Sequence, residues 1–453
     1  MKNFWKDRAF FRAMFSIALP ITIQNLIASS VNMLDTLMIT SLGQESLAAV
    51  GLANQVFFFY GVTVFGISTG SAIFIAQFWG NRDRRNIKRI LGLSLTLGSL
   101  LGIMFTLAAL FIPEYLMKIF SKDPKVIALG VKYLRAVSTS YVITGISFSY
   151  AVASRSVGEA RMPVVASFAS FVTNGVFNYL LIFGKLGFPR LEVVGAAYGT
   201  LIARAVELFI ILYFVYSSRG PLAGSIREMT DWNKNFVKRY FKTATPVIFN
   251  EAFWSLGTVL YSIAYAKIGT EAAAAVQILN TVQNLFMVIT RGMGNACTVL
   301  VGNKIGAGEE EVAIQYANRF LILSIGVGLL LSTGIFLTSD LMLKAFRNLT
   351  PELYETSKRL LIALAIFFTI KVYNGTLVVG VLRGGGDTRF SMLLDMAGVW
   401  LIGVPLAFIG ALVLKFPVYY VTPLVYMEEV VKAAIGTPRV ISRKWVTNLI
   451  KDM

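Results

Sequence analysis

Gly43-Gln-Glu-Ser-Leu-Ala-Ala-Val50 returns as Gly269-Thr-Glu-Ala-Ala-Ala-Ala-Val276, 226 positions further along the chain. Working outward, the same offset superposes Pro20 on Pro246, Asn54 on Asn280, Gly66 on Gly292 and Gly80 on Gly306 without a gap. A period this long lies far outside the repeat lengths of solenoids and propellers, so the chain reads as one half duplicated. Both copies of the motif lie between long apolar runs, each sufficient to cross about 30 Å of hydrocarbon as a helix.

Composition agrees with a chain that lives in lipid. Hydrophobic residues make up 56% of the 453 and charged residues 15%, with a mean hydropathy of +0.68. Barrel strands alternate apolar and polar residues at every second position, and these runs do not. The expected fold is an all-α polytopic membrane protein of about twelve transmembrane helices in two pseudo-symmetric six-helix bundles. The runs predict spans over 14–40, 50–79, 90–112, 130–152, 162–184 and 193–216, then 244–267, 276–302, 318–338, 357–380, 388–413 and 416–436. Glu428, Glu429 and Lys432 fall inside the last run and predict that it ends early. The first run follows a basic stretch but lacks a small-residue cleavage pattern, so it reads as a retained helix.

Lysine and arginine concentrate at the termini and in the even-numbered loops, above all in Asn81–Arg89, the connector 217–242 and the carboxyl tail. The positive-inside rule makes that side the cytoplasm, with both termini on it, in a multi-pass protein of the inner (cytoplasmic) membrane. Six spans per half also make the two repeats parallel rather than inverted, with a ligand path between them. The expected organisation is a lobe over 1–216, a cytoplasmic linker over 217–242 and a lobe over 243–453 with a basic tail. The net charge of +18 flanks helices and forms no continuous face. Attraction to anionic lipid headgroups accounts for it better than nucleic acid does. Cys297 is alone and histidine is absent, which excludes an internal disulfide and removes the commonest proton relay. Any ion coupling therefore rests on carboxylates, amides and hydroxyls, a ligand set suited to a hard ion such as Na⁺, and no cofactor is expected.

Ionisable residues within spans mark function or a buried partner. Asp35, deep in the first span beside Asn32 and Thr36, reads as a cation site for Na⁺ or H⁺. Glu251 lies five residues past Pro246 in the corresponding span, and reads as either a second coupling acid or a solvated mouth residue. Its repeat partner is Asn25, and that of Asp35 is Tyr261, so the duplication diverges at polar positions. Asn174 and Asn178 are spaced i,i+4 and share one helix face; they either complete the cation site or hydrogen-bond between helices. Thr200, in Gly195-Ala-Ala-Tyr-Gly-Thr200, has the same two readings. Phe58 and Tyr60, from an aromatic run, with Met33 and Met287, are candidate walls for flat organic cations.

Asp35 in its span, Asn174–Gly184, Gly195–Thr200, Val301-Gly-Asn-Lys-Ile-Gly-Ala-Gly308 and Leu382-Arg-Gly-Gly-Gly-Asp-Thr-Arg389 together resemble the multidrug and toxic compound extrusion (MATE) family, in its bacterial or archaeal branch. The likeness runs in order through nearly the whole chain. It implies two bundles in a V around a central cavity, and export of cationic or amphipathic organic compounds in exchange for Na⁺ or H⁺ by a protein that works as a monomer. It also implies that Asp35, Asn174, Asn178 and Thr200 form the amino-terminal cation site, and that Asp387 belongs to the carboxyl-terminal lobe. Some members carry Asp where this chain has Asn178, which leaves the site one carboxylate fewer. Read from the sequence itself, Asp387 lies in a glycine-rich turn between Arg383 and Arg389, where an ion pair is an equal reading. That turn lacks the Gly-Lys-Ser/Thr ending of an ATP-binding loop, so uphill transport would draw on an ion gradient. Two other functions fit a doubled membrane protein less well. A lipid-linked oligosaccharide flippase should carry more cations in its spans than Arg135, Arg204, Arg291 and Lys371, and an integral-membrane enzyme should show a nucleophile–base or metal constellation.

Overall fold

The computed structural model describes residues 7–346, 349–451 and 453. Helices dominate, and among the described residues the only β-type pairing is an isolated bridge between Gly386 and Val446. The basic stretch ahead of the first span begins in residues 1–6, outside the described residues.

The first repeat comprises α1 (Arg8–Thr40), α2 (Gln44–Gly80), α3 (Arg84–Phe111), the short α4 (Pro113–Lys118), α5 (Pro124–Val137), α6 (Ser140–Ser156), α7 (Arg161–Phe183) and α8 (Glu192–Ser217). A four-residue helix, α9 (Ile226–Met229), precedes the second repeat. That repeat is built from α10 (Lys234–Ile268), α11 (Thr270–Gly306), α12 (Glu310–Lys344), α13 (Pro351–Gly375), α14 (Thr388–Ala397), α15 (Val404–Phe408) and α16 (Val418–Ile441). α13 continues as a π-helix over Thr376–Arg383, and two further π-helical turns, Gly398–Gly403 and Ile409–Val413, flank α15. The 226-residue offset carries the start of α1 onto that of α10, both ends of α2 onto those of α11, and the start of α3 onto that of α12.

Local chemistry sets the ends. Gly43, with φ of +103° at the start of α2, takes a left-handed backbone that a side chain would strain. The Asp83 carboxylate caps α3 by accepting from the Asn86 backbone N–H at 3.0 Å. Gly184 ends α7 in the left-handed conformation.

Among the described residues ten helices are long and apolar enough to cross a membrane. The span expected at 130–152 is instead a broken pair, α5 and α6, bent by 52°. The break falls in Ser138-Thr139-Ser140, where hydroxyls compete with the helix ladder: Ser138 Oγ donates to the Arg135 carbonyl at 2.8 Å, and Thr106 Oγ1 donates to the Ser138 carbonyl at 2.8 Å. The run expected at 416–436 is helical from Val418 onward but is not among those ten. α16 runs 24 residues to Ile441, straight through Glu428, Glu429 and Lys432, because those three side chains are buried and paired with one another.

The chain folds as two compact units, one of Leu19–Ala244 and one of Thr245–Met453 together with the segment ending at Ala18. The long helices α1 and α10 therefore each change unit, at positions related by the repeat, one residue before the prolines' predecessors Leu19 and Thr245. In the unit of Leu19–Ala244, α2 packs against α3, α5 and α6, and α7 lies along α8. Its core includes Val50, Tyr60, Leu134, Tyr141 and Ile182. In the other unit, α12 and α13 pack along each other, and α11 and α16 also pack on α13.

Candidate functional site

α7 and α8 approach closely because α8 presents glycine. A Cβ on Gly195 would lie 2.6 Å from the Leu181 carbonyl, and one on Gly199 would lie 2.1 Å from Asn178 Oδ1, the small-residue contact by which membrane helices pack. The i,i+4 pair on α7 faces inward, with Asn174 1% and Asn178 0% exposed. From there Asn178 Nδ2 donates to Asp35 Oδ1 at 2.5 Å and to Asn174 Oδ1 at 3.2 Å, which places Asn174 beside the Asp35 carboxylate. Thr200 lies beside the Tyr133 hydroxyl, which donates to Asn54 Oδ1 at 3.4 Å.

Asp35 takes part in no ion pair among the described residues. Arg204, a cation that acts on it, is held 2.7 Å from Glu207. Glu207 in turn accepts from Ser167 at 2.9 Å. The Asp35 carboxylate is thus left with amide donors only. Asn178 Oδ1 is buried without any donor, an arrangement that costs about 1–3 kcal/mol in a folded protein. Carboxylate, two amide oxygens and a hydroxyl make an all-oxygen set, which fits a hard monovalent ion. Among the described residues there is no cluster of three or more His, Cys, Asp or Glu of the kind that holds a divalent metal.

Glu251 and Asp387 are placed differently. Glu251 bonds Arg383 at 2.7 Å, with both side chains largely buried. Asp387 bonds neither arginine of its own turn but Arg439 of α16, at 2.8 Å, whose guanidinium lies over Phe390. The glycines beside it form a tight turn: Gly386 has φ of +92°, and a Cβ on Gly385 would meet the buried Trp445 ring of the carboxyl tail at 2.1 Å. Among the candidate walls, Tyr60 is a correction. It is fully buried in the core with its hydroxyl donating to the Tyr141 carbonyl at 2.5 Å, so it lines no cavity. Phe58 and Met33 are exposed, and Met287 is half-buried with its sulfur 3.4 Å from Thr290 Oγ1.

A larger charged network lies around α16, and sequence reasoning missed it as a unit. Lys432 Nζ stands 3.0 Å from Asp395, 3.7 Å from Glu428 and 3.8 Å from Glu429. Lys371 Nζ is 3.7 Å from Glu429 and lies over the Tyr426 ring. Asn374 donates to Glu429 at 2.8 Å, Asn250 to Asp395 at 3.0 Å, and the Tyr261 hydroxyl to Glu428 Oε2 at 2.5 Å. The π-helical turn Gly398–Gly403 makes room for it. A Cβ on Gly398 would meet Lys432 at 2.5 Å, and one on Gly403 would meet the Tyr261 hydroxyl at 2.1 Å. π-helical turns recur at functional sites. The signal in the sequence is a row of ionisable residues inside spans 10, 11 and 12, where Lys371 reads apart from Glu428, Glu429 and Lys432 and Asp395 is passed over.

Membrane-length helices in a doubled frame, with ionisable clusters buried inside the spans, define a polytopic membrane protein of the transporter class. Residues 20–180 and 246–409 match the MatE family, and the chain belongs to it. It is 23% identical to "Uncharacterized transporter YisQ" of Bacillus subtilis over 97% of this chain and 96% of that one. It is 25% identical to "Probable multidrug resistance protein NorM" of Thermotoga maritima over 88% and 85%. Its fold is similar to a crystal structure of MATE in the bent conformation, with a TM-score of 0.86 at 22% identity, covering 98% of this chain and 96% of that one.

Proposed function

We propose that this chain is a secondary antiporter that exports cationic or amphipathic organic compounds in exchange for Na⁺ or H⁺ by alternating access. The observation that carries this reading is Asp35, an in-span carboxylate with no ion-pair partner, hydrogen-bonded by Asn178 beside a buried amide oxygen that lacks a donor. The names of the multidrug-resistance relatives support the class of cargo. In this reading a proton adds to the Asp35 carboxylate. Na⁺ as cargo would instead be held by Asp35, Asn174, Asn178 and Thr200, with the isosteric Asn178 amide offering its oxygen. Either ion drives transport only through different affinity for the inward- and outward-open states. The protein works as a monomer in the cytoplasmic membrane with both termini inside, amid lipid whose anionic headgroups meet its basic loops.

The test is uptake of a fluorescent organic cation into vesicles of reconstituted protein under an imposed Na⁺ or H⁺ gradient. Wild type should accumulate the dye only with a gradient, and Asp35→Asn should lose that dependence. Gradient-independent uptake, or an Asp35→Asn protein as active as wild type, would sink the mechanism.

A further inference from the structure

The network around α16 contains three carboxylates, Asp395, Glu428 and Glu429, against two ammonium groups, Lys371 and Lys432. One negative charge is in excess at a buried place, where an uncompensated ion is costly. The excess is not spread evenly. Asp395 accepts from Lys432 and Asn250, each at 3.0 Å. Glu429 accepts from Asn374 at 2.8 Å and faces both lysines. Glu428 accepts from the Tyr261 hydroxyl and has Lys432 at 3.7 Å, with Lys371 acting from farther off, so among the described residues it is the least compensated of the three.

The remaining charged and titratable groups facing the cluster act unequally on its three acids. Tyr261 and Tyr265 face it from α10, and Tyr426 from α16. Arg383 acts on Asp395 and bonds Glu251 at 2.7 Å, a carboxylate on which Arg291 also acts, so these two cations and one acid leave a positive charge on the Asp395 side of the network, which favours ionised Asp395 and leaves Glu428 as the acid that takes the proton. The buried amides Asn250 and Asn374, 2% and 3% exposed, direct their Nδ2 donors to the other two acids, Asp395 and Glu429. The space between the acids is already taken by the Lys432 ammonium, which leaves no seat for a metal cation. The ligand that fits is a proton.

We propose that Glu428 carries an exchangeable proton, making the Glu428–Tyr261–Lys432 cluster a second proton-binding site, in the unit that does not contain Asp35. With the proton on, the five groups Asp395, Glu428, Glu429, Lys371 and Lys432 sum to zero charge. On release the O–H bond of the carboxyl breaks, the proton passes to water, and those five groups together hold one net negative charge. The repeat gives the assignment a frame, because Tyr261 stands at the position of Asp35. One half places its carboxylate on its first helix, and the other brings a carboxylate from its last helix to a tyrosine at the same position. The site itself needs only this geometry, while its part in coupling rests on the antiporter reading above.

Infrared difference spectra of the full-length protein in lipid, taken between acid and alkaline pH, test this. Wild type should lose a protonated-carboxyl C=O band on alkalinisation. That band should be missing in Glu428→Gln and retained in Asp35→Asn, whatever either variant does in transport. A band as strong in folded Glu428→Gln as in wild type would overturn the proposal. Should Glu428→Gln not fold, Tyr261→Phe keeps every carboxylate and should move the midpoint of the band; an unmoved midpoint would likewise overturn it.

Discussion

Asn178 is the residue on which the Asp35 site turns, because its amide is both the donor to the carboxylate and the holder of an unpartnered oxygen. Gly199 fixes where that amide can sit. A methyl group added there would lie 2.1 Å from Asn178 Oδ1, and the amide would have to swing off Asp35. Gly199→Ala should therefore destabilise by about 1–3 kcal/mol, as overpacking does, yet abolish ion-driven uptake as fully as Asp35→Asn; unfolding in detergent and vesicle uptake measure the two. Lys432 makes the contrasting case. It is the shared cation of three carboxylates, and Lys432→Met should cost about 3–5 kcal/mol, the scale for removing one partner of a buried pair. Adding Glu428→Gln should recover part of the loss in thermal unfolding. The sequence made the first site legible because Asn174 and Asn178 declare a shared helix face by spacing alone, and a lone Asp in an apolar run stands out. It hid the second, since Lys432 meets Asp395 across 37 positions and Tyr261 meets Glu428 across 167. No local pattern announces such pairs. Tyr60 was misread for the opposite reason: in an aromatic run, helical periodicity buries one ring and exposes its neighbours, and composition cannot say which.

Among the elements, the connector ahead of α10 is the one whose docking can be tested. The sequence reads as a linker there, and α9 gives it a fixed point. Ser225 and Glu228 form a capping box, Glu228 bonds Lys88 of α3 at 2.7 Å, and Asp231 bonds Arg85 at 2.7 Å. Gly92 of α3 lets the turn press close, since a Cβ there would lie 1.9 Å from the Met229 carbonyl. The Lys88 hydrogen bond, with that of the Ser225 backbone N–H, pulls the Glu228 carboxyl down from 4.5 to about 2, and Arg85 lowers Asp231. A lowered folded-state value means the latch is fully present above 4.5 and is lost as pH falls through about 2. Both acids are solvent-facing, so salt should weaken the latch as well. Pepsin cleavage within 218–233, normalised to a free peptide of that sequence, should accelerate across this window in wild type. In Glu228→Gln it should already be fast at the upper end. The broken span at α5–α6 and the full length of α16 show what remains hidden at this scale: hydropathy finds a run, but hydroxyls inside it and partners outside it decide where the helix bends or ends.

At the scale of the whole molecule, the repeat is more entangled than a boundary drawn through the connector implies. The first turns of α1 fold with the second repeat: Phe10 packs on Tyr316 and Phe320, and Arg319 of α12 bonds Asp7 at 2.5 Å and lies over the Phe10 ring. The first turns of α10 fold reciprocally with the first repeat. Phe236, the repeat partner of Phe10, lies 4.2 Å beneath Arg89 of α3. Tyr240 bonds Ser71 at 2.9 Å and stacks on Phe74, while a Cβ on Gly70 would lie 3.0 Å from Ala244. Each unit is thus completed by the opening turns of the other repeat's first helix. Burying a large apolar side chain contributes about 1.5–3 kcal/mol, so losing Phe236 and Tyr240 together removes a large part of the roughly 5–15 kcal/mol that a domain has to spare. A chain cut between Arg219 and Gly220 should for this reason give fragments that do not accumulate singly in the membrane. Co-expressed, they should co-purify through a tag on either one and unfold in a single transition. Fragment 1–219 produced alone as a monodisperse species, with the thermal stability of the intact protein, would show that the exchanged turns are dispensable and that the units end where the repeats do.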